Sequence, residues 1–133
     1  MFKKTKCNRI FDLYLDIYYF FNSKEVMHVD AQLKKGLLDV CVLSILRNND
    51  AYGYKITQEV TKLMDTSESA LYPVLRRLES QGFLETYSVE HSGRLRKYYR
   101  ITANGITRFS EYIEELNDLK RVIDYISGGE NNG

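Results

Sequence analysis

Two short stretches carry the side chains best suited to chemistry, and that chemistry is the gripping of phosphates and base edges. Within residues 67–82, Ser69, Tyr72, Arg76 and Arg77 fall on the polar side of a helical pattern. Within residues 94–100, Arg94, Arg96 and Lys97, followed by Arg100, place four cations in seven positions. A guanidinium can hold two acceptors of one guanine at once, which contributes about 1–3 kcal/mol of discrimination between bases. Hydroxyls, phenols and the N-terminus of a helix donate to phosphate oxygens and fix register. The plain alternative is a set of solvated surface charges, with Arg76 or Arg77 paired to Glu79 or to a carboxylate of the following hairpin.

No comparable set supports catalysis or metal binding. The two histidines, His28 and His91, lie far apart, and the cysteines, Cys7 and Cys41, do not cluster with them. Paired carboxylates, nucleophile motifs and glycine-rich phosphate loops are missing, so no enzyme activity, no cofactor and no metal is expected. Cys41 sits in an apolar run and is expected as a buried free thiol, which suits a reducing cytoplasm. The apolar tract Ile10–Phe21 contains Asp12 and Asp16 and is too short and charged for stable membrane insertion. The chain has 133 residues and a formal net charge of +1, so its basic character is local to the centre; the last thirty residues are acidic.

The elements that must position the two cationic stretches follow from periodicity. Ser67 is expected to cap a helix whose inner face is Ala70, Leu71, Val74, Leu75 and Leu78, and Gly82 to end it. Pro73 removes one helical hydrogen bond and predicts a slight bend. Upstream, Asp30–Arg47 predicts a helix apolar nearly all round, and Tyr52–Met64 a second helix with Tyr52, Ile56, Val60 and Leu63 as its inner stripe. Two short helices joined by a few polar residues form a helix-turn-helix. Phe83–Glu90 and Leu95–Thr102 predict a β-hairpin turning at residues 91–94, whose basic tip is the wing of a winged helix. Thr102 caps a last helix to about Ser127. Its seam of Ile106, Phe109, Ile113, Leu116, Leu119, Ile123 and Ile126 is longer than one small core can cover, so a second copy of the chain is the expected cover.

The fold expected is mainly α with a small β-hairpin. Residues 1–26 form an N-terminal extension, either helical or disordered, with Met27 an alternative start. Residues 27–102 form a winged helix-turn-helix, residues 103–127 a dimerisation helix, and residues 128–133 a flexible tail.

The segments Ser69–Glu79 (SALYPVLRRLE), Gly82–Phe83 and Gly93–Thr102 (GRLRKYYRIT) closely resemble the PadR family of bacterial transcriptional regulators. Leu37–Asp39 and Tyr52–Tyr54 fit that family's first two helices, and the resemblance runs from about Val29 to Ser127. The match is to the short subfamily with a single C-terminal helix. It implies a homodimeric repressor whose C-terminal helix packs on the first helix of the other subunit. Its paired recognition helices would read an inverted repeat in double-stranded DNA. Ser69, Tyr72, Arg76, Arg77, Arg94, Arg96 and Lys97 would then contact DNA, and Leu33, Leu37, Phe109, Ile113, Leu116 and Ile123 would form the dimer interface.

Some short relatives bind flat hydrophobic compounds between their C-terminal helices, stacked on a tryptophan. This chain has no tryptophan, and Leu116 stands about where that ring is expected. A hydrophobic small-molecule effector is expected, if anywhere, in the crevice near Leu33, Leu37, Ile113 and Leu116. The near-neutral charge leaves one competing reading, a winged-helix protein-interaction module without DNA binding.

Overall fold

A computed structural model describes residues 31–128. The expectations for residues 1–26 and for the last residues of the tail lie outside them. In chain order the elements are α1 (Ala31–Asn48), β1 (Ala51–Tyr52), α2 (Gly53–Leu63), α3 (Glu68–Ser80), β2 (Leu84–His91), β3 (Arg94–Ile101) and α4 (Ala103–Ile126). The architecture is mainly helical with one small antiparallel sheet.

The core gathers around α1, whose Leu38, Val42, Leu43 and Leu46 are buried against Ile56 and Val60 of α2 and Leu71, Leu75 and Leu78 of α3. A helix apolar on several sides needs neighbours on several sides, and α1 touches α2, α3, α4 and β3. The expected inner stripe of α2 shifts at both ends. Leu63 is exposed and Met64 is buried, because the helix stops at Leu63 and Met64 turns inward in extended conformation. Tyr52 belongs to β1, where it pairs with Tyr98.

The start and stop of α3 are built as its sequence suggests. The Ser67 hydroxyl accepts from the Ala70 amide at 3.2 Å. At the other end Gly82 takes φ +79°, its N–H donates to Glu79 O, and the Phe83 N–H donates to Leu78 O. These paired bonds satisfy the last carbonyls and leave the chain heading into β2. Ala70, expected on the inner face, is exposed.

The sheet order is β1-β3-β2, all antiparallel. The hairpin turns through Ser92 (φ +52°) and Gly93 (φ +77°), a pair of positive φ values that matches the twist of the flanking strands. Thr102 caps α4 by accepting from the Gly105 amide at 3.0 Å. Its hydroxyl also donates to Gly82 O at 2.6 Å, which ties the start of α4 to the end of α3. Gly105 is required there, since a Cβ would stand 2.2 Å from Phe83 O.

Only the first part of α4 reaches the core. Phe109 is 8% exposed and packs inside the monomer, beneath the Arg47 guanidinium at 5.2 Å from its ring centroid. Helical spacing placed it in the dimer seam, but its side chain is already covered by its own subunit. Further along, Leu119 (41% exposed), Val122 (54%) and Ile126 (67%) have no such cover.

Candidate nucleic-acid interface

The helix-turn-helix pair α2–α3 and the β2–β3 wing carry the two cationic stretches. On α3 the inward residues Leu71, Val74, Leu75 and Leu78 are buried, which turns the intervening polar residues outward. Ser69 and Arg76 are exposed. The Ser69 hydroxyl lies 3.1 Å from that of Ser67. Among the described residues no hydrogen-bond or ion-pair partner engages Arg76, so its guanidinium is available to a ligand.

Tyr72 is half-buried, its ring against Gly53, where an added Cβ would sit 3.0 Å from the ring. Its hydroxyl donates to Glu68 at 3.2 Å; burial, and then this bond, push the phenol above its ordinary range. Tyr72 therefore braces α3 against the start of α2 while keeping its hydroxyl near the surface.

Arg77 differs from its neighbour. Its guanidinium donates to both oxygens of Asp39 on α1, at 2.5 and 3.2 Å, and its side chain is only 22% exposed. Arg77 was expected at DNA, and a surface partner such as Glu79 was its plain alternative. The structure instead gives it a buried carboxylate on another helix. Burial pushes the Asp39 carboxyl upward against the pull of Arg77. The Tyr112 hydroxyl of α4 also donates to Asp39, at 3.1 Å.

On the wing, Arg94 is exposed beside the turn. Arg96 lies over the Tyr52 ring at 4.8 Å, and Lys97 lies over Tyr99 and 3.6 Å from Glu79. Half-exposed pairs of this kind are worth little. Arg100 is held more firmly: it bonds Asp50 at 3.1 Å, reaches Glu85 at 3.6 Å and lies over Tyr87. The Tyr87 hydroxyl donates to the same Asp50 oxygen at 2.7 Å, and Tyr87 stacks on Tyr98. This cluster stiffens the base of the wing and leaves its cationic tip projecting.

A groove of about 400 Å³ runs between α1 and α4, lined by Leu33, Leu37 and Leu116 among others, with Asp39, Arg77 and Tyr112 also on its wall. Ile113, expected beside it, is exposed and does not line it. Sequence reasoning passed over Asp39 and Tyr112. The available signal was one aspartate inside the apolar run of residues 37–43. Among the described residues no group of three or more His, Cys, Asp or Glu side chains could hold a metal ion. None of their helices is long and apolar enough to cross a membrane.

Known proteins resemble this chain in sequence and in fold. The family described as transcriptional regulator PadR-like matches residues 42–111. An uncharacterised protein of Lysinibacillus sphaericus is 37% identical over 106 residues, covering 76% of this chain and 97% of that one. A transcriptional regulator from Clostridium thermocellum is similar in structure, with a TM-score of 0.65 and 33% identity over 73% of this chain and 96% of that one. A PadR family transcriptional regulator from Eggerthella lenta has a TM-score of 0.66 and 32% identity over 91% of this chain and 99% of its own.

Proposed function

The chain belongs to the PadR-like family of transcriptional regulators, and from that premise we propose that it is a homodimeric, cytoplasmic repressor that binds an inverted repeat in double-stranded DNA. Arg76 is the side chain assigned to base edges. Ser69 and the N-terminus of α3 serve phosphates, with Tyr72 bracing the helix. Arg94, Arg96 and Lys97 serve the backbone from the wing. The observation that carries this reading is the exposed Arg76, which has no partner among the described residues, on a helix fixed at both ends beside a cationic wing. Arg77 is left out of the contact set because Asp39 holds it.

In this reading residues 27–102 are the DNA-binding unit and residues 103–127 the dimerisation helix. The uncovered apolar side chains of α4, with Leu33 of α1, support the second assignment. A hydrophobic effector would enter the α1–α4 groove, favour one spacing of the two recognition helices and so release DNA. A melting scan against planar aromatic compounds tests this; stabilisation by none of them counts against the pocket.

A gel-shift series on operator and scrambled duplexes tests the DNA assignment. Removing charge at Arg94, Arg96 and Lys97 should weaken binding to every sequence and flatten its salt dependence. Arg76→Ala should relax sequence preference. If neither change appears, these residues do not contact DNA.

A further inference from the structure

One buried polar junction joins three helices. Asp39 comes from α1, Arg77 from α3 and Tyr112 from α4, and the Asp39 side chain is 6% exposed. The guanidinium fork uses both carboxylate oxygens, a geometry that admits one relative orientation of the two helices. A buried pair of this kind adds little net stability over apolar packing, while its two parallel bonds add geometric specificity. Tyr112 is held in turn from its own helix. Arg108 lies 3.6 Å from its ring centroid and is anchored by Glu111 and Glu115, each at 3.0 Å. Burial lowers the Arg108 pKa, but its interactions with Tyr112 first, and then Glu115 and Glu111, outweigh burial and hold it above its ordinary range. Arg77 thus faces α1 and α4, while the adjacent Arg76 faces solvent.

We infer that the Asp39–Arg77–Tyr112 junction sets the seat of α3. Arg77 is a positioning residue that acts on DNA recognition through helix placement, and a displacement of α4 at Tyr112 is passed to α3 through Asp39. The consequence for DNA rests on the function proposed above; the mechanical link does not. Misplacing α3 disturbs contacts to base edges, which demand accurate geometry, more than attraction to phosphate, which does not. All three side chains also line the α1–α4 groove, so the junction lies between that groove and the DNA-facing helix.

The test uses the full chain with Tyr112→Phe, Arg77→Gln and the double variant, each checked for folding by circular dichroism. The first probe is amide hydrogen exchange, which needs no DNA. Tyr112→Phe removes one hydroxyl from α4. It should speed exchange in the second half of α3 by about threefold or more, with the β2–β3 hairpin unchanged. The second probe is anisotropy with the tightest duplex that the wild type selects from a random library, and with a scrambled duplex. Tyr112→Phe should reduce the preference for the selected duplex by about threefold to tenfold, with affinity and salt slope on the scrambled duplex unchanged. The double variant should lose little more than Arg77→Gln alone. A mere loss of folded protein would weaken both duplexes alike. Unchanged exchange in α3, equal losses on both duplexes, or a salt slope flattened by Arg77→Gln would each overturn the inference. If the wild type binds neither duplex, the proposed function fails and the exchange result alone decides the junction.

Discussion

Adjacent arginines on α3 have opposite surroundings, and their substitution should separate stability from recognition. Arg77→Ala leaves Asp39 buried without its cation, a loss of about 3 kcal/mol. Arg76→Ala removes an exposed side chain and should change stability by less than about 0.5 kcal/mol. Urea unfolding of both variants checks this, and equal losses would contradict it. Cys41 gives a second prediction at this scale. Its thiol is half-buried, 3.7 Å from the Met64 sulfur, and burial pushes its pKa up. The reactive thiolate is therefore scarcer than for an ordinary cysteine at the same pH. Alkylation by iodoacetamide at a mildly alkaline pH should be slower than for a free thiol and should accelerate on unfolding. Mass spectrometry of the Cys41 peptide reads it; labelling at the free-thiol rate would show that the site is open. The polar face of α3 was legible in the sequence, since hydroxyl and guanidinium groups alternate with leucines there. The separation of Arg76 from Arg77 was not, because their difference depends on a carboxylate 38 positions away from Arg77.

Among the elements, those with local punctuation were the easiest to foresee. Ser67, Gly82, the Ser92–Gly93 turn and Thr102 each end or begin an element through bonds to near neighbours. β1 was missed because two residues carry no period and its strand character comes from Tyr98 and Tyr99, far along the chain. Phe109 was misplaced for a related reason: a helical stripe shows that a face is apolar and does not say whose side chains cover it. The tightest joint between elements is Gly105 on Phe83, where the obstacle to a Cβ is a backbone oxygen that cannot swing aside. Gly105→Ala should lower stability by about 2–3 kcal/mol by urea unfolding, through lifting α4 off the start of β2. A neutral substitution would mean that α4 is free to shift there.

For the whole molecule, the exposed apolar side chains of α4 make association the expected state. A helix of 24 residues is about 36 Å long, and in its distal half Leu119, Val122 and Ile126 remain exposed. Paired substitution of Ile113 and Leu119 by aspartate should convert a dimer to a monomer in sedimentation equilibrium with helix content retained. It should also weaken binding to an inverted repeat, because two half-sites would no longer be gripped together. A dimer that survives the substitution would place the interface elsewhere. The fold class was legible because every long element has its own period; the assembly was legible only as a surplus of apolar surface. The most direct test of the whole account is fluorescence anisotropy of the wild-type chain with the duplex upstream of its own gene, titrated with salt. The account predicts sequence-preferring binding whose affinity falls by roughly a thousandfold between about 50 and 200 mM salt, as phosphate contacts from two wings and two α3 helices release counterions. Binding that is absent at low salt, or that does not change as salt rises, would contradict it.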